Sequence, residues 1–172
     1  MGGKLLNGVR IERKYIAQLT EHFVTSVFPA MTRSQIQGII VAGSYRRGKD
    51  VSGDIELVIP CDTMSEYAWV RGKIVKQFGS TESSGPKMSG LWGQVQFDLF
   101  PCHRHQMGSM LLHATGSWEF NKEMRTRARN LGMKLNQYGL FRINSDTPFL
   151  VDETEEKFFK YIEMDYVDPK DR

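Results

Sequence analysis

The sequence lacks two features that would place it outside the ordinary globular proteins. It has no apolar run approaching the roughly 20 residues that a membrane-spanning helix needs, and its start, Met1-Gly2-Gly3-Lys4, lacks the apolar core of a secretion signal. It also has only two cysteines, Cys61 and Cys102, which are too few for a disulfide scaffold. We therefore expect a soluble, intracellular protein with free thiols and no membrane partner.

The sequence also has no strong net charge of either sign and no internal repeat. The net charge is +3 and the pI is about 8.9, which permits a polyanionic partner without requiring one.

The segment Cys102-His103-Arg104-His105 contains zinc-type ligands. A zinc site needs four ligands in tetrahedral array, and no second cluster accompanies this one. A zinc site is therefore disfavoured.

The hydrophobic pattern predicts an α+β protein, with a mixed sheet plus helices. Predicted helices cover 12–28, ending at Pro29, then 63–78 and 121–130. Predicted strands cover 39–42, 55–59 and 92–100, and the second and third of these end at Pro60 and Pro101. A Ser- and Gly-rich loop or hairpin is predicted over 79–90, and a small sheet around 135–141. A soft boundary near 101–108 divides the chain into domains 1–105 and 106–172.

Asp54 and Glu56 flank Ile55 at the start of a predicted strand. Because side chains alternate between the two faces of a strand, both carboxylates emerge on one side while Ile55 enters the core. Two neighbouring carboxylates repel each other unless a cation neutralises them. The pattern therefore predicts a divalent metal site.

A third carboxylate, Asp98, lies among apolar residues of the next predicted strand. A carboxylate in such surroundings should be paired or bound to metal. If the two strands pack side by side, the three acids would hold two ions as in-line phosphoryl transfer requires. The alternative is an edge carboxylate that faces water.

Gly43-Ser44 lies on the turn that leaves the preceding strand, with Arg46 and Arg47 directly behind it. A Gly-Ser turn lets backbone N–H groups and a hydroxyl approach phosphate oxygens, and a guanidinium neutralises their charge. Alone, such a turn would be read as a solvated basic patch. Next to Ser52-Gly53-Asp54-Ile55-Glu56 it favours a triphosphate site.

Together these segments resemble the family X DNA polymerases, the polymerase beta superfamily. Segments that resemble the palm motif are Gly43-Ser44-Tyr45-Arg46-Arg47-Gly48 and Ser52-Gly53-Asp54-Ile55-Glu56. Those that resemble the family's nucleotide- and template-contacting subdomain are Thr115-Gly116-Ser117, Phe120-Asn121-Lys122, Met124-Arg125 and Leu135-Asn136-Gln137-Tyr138-Gly139-Leu140-Phe141. The resemblance covers about 38–172 and implies a nucleotidyltransferase palm followed by a small α/β C-terminal subdomain.

The resemblance implies a role for each matched position. Asp54, Glu56 and Asp98 would be the catalytic residues and would hold two Mg²⁺ ions, which Mn²⁺ could replace. The residues implied to bind the incoming nucleotide are Gly43, Ser44, Arg47, Ser52, Gly53, His113, Gly116, Trp118 and Asn121. Arg125 would contact the template strand.

The predicted helix over 121–130 has two distinct faces. Its wheel places Phe120, Met124, Ala128 and Leu131 on an apolar stripe. The cations on the other side are Lys122, Arg125 and Arg129. Three exposed cations are ordinarily just solvated, but beside a phosphoryl-transfer site we interpret them as DNA-binding residues.

Three positions depart from the family pattern. Glu56 stands where the polymerases usually have Asp, which affects metal geometry and rate. His113-Ala114 replaces a Tyr-Phe pair that borders the sugar, so we expect weaker exclusion of ribonucleotides. Trp118 occupies the position that faces the incoming base, where an indole either stacks or simply packs.

The expected activity is extension of a primer 3′-hydroxyl with dNTPs, filling short gaps in DNA repair, by a monomer that binds gapped or primer-template DNA. The chain has no room for the lyase domain of longer relatives, so no lyase activity is expected. Two alternatives stay open at this point: a template-independent nucleotidyltransferase acting on a nucleic acid end or a small molecule, and a noncatalytic DNA-binding module. The complete acidic triad argues against the second.

Overall fold

The computed structural model describes residues 9–79 and 87–172, and within them the chain forms helices and strands in an α+β arrangement, as predicted. The strands are β1 (Ile11–Glu12), β2 (Ile40–Val41), β3 (Val51–Ser52), β4 (Ile55–Cys61), β5 (Met88–Trp92), β6 (Val95–His103), β7 (Met133–Asn136), β8 (Gly139–Arg142) and β9 (Pro148–Leu150). The helices are α1 (Arg13–Val27), α2 (Arg33–Gly38), α3 (Gly43–Arg46), α4 (Met64–Phe78), α5 (Met107–Thr115), α6 (Trp118–Asn130) and α7 (Glu156–Tyr161).

A four-stranded sheet in the order β2-β4-β6-β5 forms the centre of the N-terminal part. β4 and β6 are parallel, with Glu56 opposite Asp98, and the other two pairs are antiparallel. Side chains of one face, among them Ile55 and Phe97, form a core with α1 and α4. The opposite face, which carries Val58, packs on α5. Ile55 therefore enters the core, as strand alternation predicted.

Two strands continue through prolines that we predicted would end them. β4 extends past Pro60 to Cys61, and β6 extends past Pro101 to His103. Proline lacks the N–H that a central strand donates, so it is tolerated only where that donor has no partner. The pairing of β4 with β2 ends at Val58, and the pairing of β6 with β5 ends at Leu99. Both prolines thus lie where one side of the strand is open.

Two of the predicted helices, α1 and α4, lie within a residue or two of their expected positions. α6 starts earlier than predicted, at Trp118, because the Ser117 hydroxyl accepts the Phe120 N–H at 3.3 Å and caps the helix. Leu131 does not continue the apolar stripe of α6, since it is 39% exposed just beyond the helix end. We predicted no helix at α2, α3, α5 or α7.

The predicted loop over 79–90 overlaps residues 80–86, which lie outside the described residues. From Met88 the chain forms β5, which pairs with β6 as a hairpin. Residues 88–90 are therefore strand, and the turn of this hairpin lies at Gly93-Gln94, inside the single strand predicted over 92–100.

The C-terminal part contains a three-stranded antiparallel sheet in the order β7-β8-β9, covered by α6 and α7. Its core includes Phe120, Met124, Leu140, Phe158 and Phe159. α5 contacts β4 and β6 on one side and β7, β8 and α7 on the other. The division at 105/106 stays a prediction.

Cys61 and Cys102 are free thiols, buried in different core clusters on opposite faces of the central sheet. Burial, the largest influence in each case, raises the pKa of both thiols to about 12. In the described ranges, none of the helices is long and apolar enough to cross a membrane.

Candidate active site

The three predicted acids lie at one end of the central sheet, on the face that packs against α5. Asp54 directly precedes β4, and Glu56 and Asp98 are register partners on β4 and β6. Glu56 shares its face with Val58, and Asp98 shares its face with Phe100. The parallel pairing of two strands that are distant in sequence therefore brings the carboxylates together.

Glu56 lies directly against Gly43, the first residue of α3. A Cβ built on Gly43 would be 1.5 Å from Glu56 Oε2, and Gly43 has a φ of +57°. A residue with a side chain would clash here and would adopt a backbone conformation that L-amino acids disfavour. The Gly-Ser turn thus closes onto the acids only because its first residue is glycine.

The neighbouring negative charges are reflected in the protonation of the acids. Burial and the nearby charges of Asp54 and Asp98 raise the pKa of Glu56 to about 8. Burial and Asp98 likewise raise the pKa of Asp54 above its usual range. Carboxylates crowded in this way would be stabilised in their ionised form by a divalent cation.

Asp98 is 3% exposed, and both of its carboxylate oxygens have a protein partner. The Lys87 ammonium donates to Oδ2 at 2.6 Å, and the Gln96 amide donates to Oδ1 at 3.0 Å. In this arrangement, no three His, Cys, Asp or Glu side chains in the described part of the chain converge closely enough to hold a metal ion. The donor set is nevertheless the hard carboxylate oxygen that Mg²⁺ and Mn²⁺ prefer, so the residues fit such an ion chemically.

The predicted phosphate-binding turn lies beside the acids. The Ser44 hydroxyl donates to the Ser52 hydroxyl at 2.8 Å, so both hydroxyls face the same small space. Arg47 donates to the Thr115 carbonyl, and a Cβ on Gly116 would be 3.2 Å from Arg47 Nη1. The turn after β2 and the turn after α5 therefore meet at Arg47, while Gly53 is exposed in front of Asp54.

The other predicted nucleotide-binding residues line a cleft of about 360 Å³ between α5 and α6. It is bordered by His113, Trp118, Asn121, Lys122, Arg125, Thr126 and Arg129. The Asn121 amide donates to the His113 carbonyl at 2.9 Å. Trp118 is 70% exposed, and the Lys122 ammonium lies 5.2 Å from its ring centroid. An accessible indole and six polar or cationic side chains thus surround one opening.

The His113 ring lies between the acids and this cleft. Its Nδ1 is 3.0 Å from Arg125 Nη2, and its edge approaches the Phe100 ring. Burial, followed by the charges of Arg125 and Lys87, lowers the pKa of His113 to about 4. At neutral pH the ring is therefore uncharged and can accept a hydrogen bond from Arg125.

The sequence did not reveal the positions of Lys87 and Glu155, nor the different contacts of Arg46 and Arg47. Lys87 comes from the far end of the β5–β6 hairpin, and no motif marked it. Arg46 does not share the role of Arg47, because it turns away to donate to Glu155 at 2.9 and 2.8 Å. Glu155 is 3% exposed and also binds Arg172. A buried acid with two arginine partners gives no periodic signal in the sequence.

Comparison with known families agrees with this geometry. Residues 10–85 match the family described as DNA polymerase beta palm, and residues 110–172 match the family described as DNA polymerase beta thumb. The first match contains the Gly43–Arg47 turn, Asp54 and Glu56, and the second contains the cleft residues of α5 and α6.

Individual relatives extend the comparison. The chain is 29% identical over 143 residues to the repair DNA polymerase X of African swine fever virus, isolate Pretoriuskop, covering 79% of this chain and 82% of the viral protein. The same protein of the Warthog/Namibia isolate is 28% identical over the same lengths. DNA polymerase IV of Saccharomyces cerevisiae is 35% identical over 77 residues, which are 45% of this chain and 13% of the yeast protein.

Proposed function

Because the chain belongs to the family X DNA polymerases, we propose that it extends a primer 3′-hydroxyl with nucleotides on gapped or primer-template DNA and fills short gaps during DNA repair. The observation that carries this proposal is the register of the two parallel strands. It sets Glu56 opposite Asp98, with Asp54 on the same face and the Gly43–Arg47 turn alongside. Acids and phosphate-binding groups then border one space, as in-line phosphoryl transfer requires.

The reaction joins the primer 3′-oxygen to the α-phosphorus of the nucleotide and breaks the bond to pyrophosphate. Two Mg²⁺ ions, or Mn²⁺ in their place, held by Asp54, Glu56 and Asp98 would lower the pKa of the attacking hydroxyl and neutralise charge on the phosphates. Asp98 would accept the proton that the primer 3′-hydroxyl loses.

The remaining groups bind and orient the nucleotide. Ser44 and Ser52 donate hydroxyl hydrogen bonds to the β- and γ-phosphates, and the exposed backbone of Gly53 contributes its N–H. Arg47, held at the Thr115 carbonyl, neutralises the charge of the same phosphates. Asn121 and Trp118 border the base, with the indole available for stacking.

The exposed cations of α6 contact DNA. Arg125 and Arg129 border the cleft, and Lys122 lies beside Trp118. These residues are placed to bind backbone phosphates, which position a strand without reading its sequence.

The test is Mg²⁺-dependent insertion into one-nucleotide-gapped DNA by the wild type and by Asp98→Asn. We expect template-directed insertion that the substitution reduces at least about a thousandfold, given the size of acid–base and metal effects. Asp62→Asn, an exposed acid that pairs with Arg104 elsewhere on the surface, is the matched control and should retain activity. Untemplated addition would instead indicate a terminal transferase, and no incorporation would leave a DNA-binding module.

The sugar selectivity of the same site is a further expectation. His113-Ala114 takes the place of the Tyr-Phe pair of the family. His113 borders the cleft, and the Ala114 methyl group packs in the core with Val58 and Phe100. With no Tyr-Phe pair there to exclude a 2′-hydroxyl, we expect ribo- and deoxyribonucleotides to be inserted at comparable kcat/KM. Single-nucleotide insertion with matched rNTP and dNTP pairs measures this ratio, and strong rejection of rNTPs would contradict it.

A further inference from the structure

Lys87 lies inside the acidic cluster although neither the motif nor the proposed reaction gives it a role. Its ammonium is 2.6 Å from Asp98 Oδ2, whereas the side chain as a whole is 48% exposed. It directly precedes β5, whose first residue Met88 pairs with Leu99. A long side chain at a strand end can leave its partner without disturbing the sheet.

The pairing of Lys87 occupies an oxygen that the proposed reaction needs. Asp98 is almost completely buried, and Gln96 holds its other oxygen. A metal ion at Oδ2 would lie close to the ammonium, and because the two positive charges repel each other, binding of the ion favours departure of the ammonium. The two cations therefore compete for the same atom.

We propose that Lys87 sets the metal affinity of the site: it neutralises and orients Asp98 in the metal-free protein and is displaced from Oδ2 when the metal ion binds. This inference rests on the proposed metal-dependent function. It makes Lys87 a positioning residue, because it acts through Asp98 and touches neither substrate nor reacting atom. A single ammonium replaces part of the charge that two metal ions would supply, so the buried acid is not left unpaired.

The first measurement is the direct binding of Mn²⁺ in the absence of DNA and nucleotide. The electron paramagnetic resonance signal of the free ion reports how much Mn²⁺ remains unbound. Lys87→Met should bind Mn²⁺ about tenfold more tightly than the wild type, because metal binding no longer has to break an ion pair. Removing any nearby positive charge also favours a metal ion. Arg47→Met is therefore the matched control, since Arg47 lies beside the acids but donates to the Thr115 carbonyl. Its effect should be clearly smaller, and an equal effect of the two substitutions would overturn the competition.

The second measurement follows Lys87 itself in the wild-type protein. Limited acetylation with mass spectrometric detection should modify Lys87 several-fold faster when Mn²⁺ is present, because the released amine is accessible. Lys76, exposed on α4, should react at the same rate with and without the ion. An unchanged or slower reaction of Lys87 would overturn the inference.

Asp98→Asn separates failure of the inference from failure of the proposed function. If the wild type binds Mn²⁺ and Asp98→Asn does not, the metal site stands, and the Lys87 results alone decide the inference. If the wild type binds no Mn²⁺, both the metal-dependent function and the competition are overturned.

Discussion

Gly43 places the phosphate-binding turn against Glu56, and the requirement for glycine at this position can be tested by substitution. In Gly43→Ala the new methyl group would overlap the Glu56 carboxylate, and a positive φ disfavours alanine. We expect activity to fall at least about a hundredfold and the free energy of unfolding to fall by about 1–2 kcal/mol. Steady-state insertion and urea unfolding measure the two effects.

Gly72 provides the matched control for that substitution. It lies within α4, and a Cβ built there has no atom within 4 Å. Gly72→Ala should leave activity unchanged and stabilise the protein by about 0.5–1 kcal/mol, because alanine favours a helix more than glycine does. Equal losses in the two variants would show that Gly43 has no special contact with Glu56.

The His113 ring is expected to titrate well below the ordinary histidine range, because its pKa is lowered to about 4. Its pKa of about 4 in the folded protein lies below its ordinary value of 6.5. The unfolded chain therefore binds the proton first as the pH falls, and this group makes the folded protein less stable between about pH 6.5 and 4. NMR titration of the His113 ring measures the pKa, and Arg125→Met should raise it by removing a nearby positive charge. A ring that titrates near 6.5 would contradict the buried, neutral state.

Single residues also show what the sequence could and could not predict. The shared face of Asp54 and Glu56 followed from strand alternation, which is local. The positions of Lys87 and Glu155 could not be predicted, because their partners are distant in sequence and an ion pair leaves no periodic trace.

Among the secondary-structure elements, those whose buried side chains recur at a regular spacing could be predicted from the sequence. The predicted ends at Pro60 and Pro101 were wrong because proline was judged without knowing where the neighbouring strands stop. α5 was missed because nearly all of its residues are buried, so it has no polar face to produce a helical period.

α6 has one buried side and one exposed, cationic side. Its buried side anchors it to the core, and its exposed cations are proposed to contact DNA phosphates. Arg129→Ala should weaken binding to gapped DNA and reduce the slope of log K against log salt by about 0.9, the value expected for one phosphate contact. Lys76→Ala, the same charge change on α4, should leave both quantities unchanged. An unaltered slope for Arg129→Ala would show that this residue does not contact a phosphate.

For the molecule as a whole, Glu155 connects α3 to the last residue of the chain, Arg172. It binds Arg46 beside the phosphate-binding turn and Arg172, whose guanidinium lies over the Phe120, Phe159 and Tyr166 rings. Burial alone would raise the pKa of Glu155, but the hydrogen bonds from both arginines hold it below the ordinary value of 4.5. The acid is therefore ionised and fully paired at neutral pH.

Removing this charge should be costly. Glu155→Gln should lower the free energy of unfolding by about 3 kcal/mol at neutral pH, because two arginines lose their partner. A lowered pKa stabilises the fold above about pH 4.5, and the stabilisation is lost as the pH falls through the folded value. The difference between wild type and variant should therefore shrink in urea unfolding at pH 3–4. Glu12→Gln, in an exposed pair with Lys14, is the control and should change stability by less than about 1 kcal/mol.

The parallel pairing of β4 and β6 also has a kinetic consequence. Parallel strands cannot be joined by a tight turn, so the chain between Glu56 and Asp98 must complete the crossover through α4 before the two carboxylates meet. Closing so long a loop is slow compared with forming a helix or a hairpin. We therefore expect the helices to form before the acidic centre during refolding, so that a partly folded molecule has no assembled site.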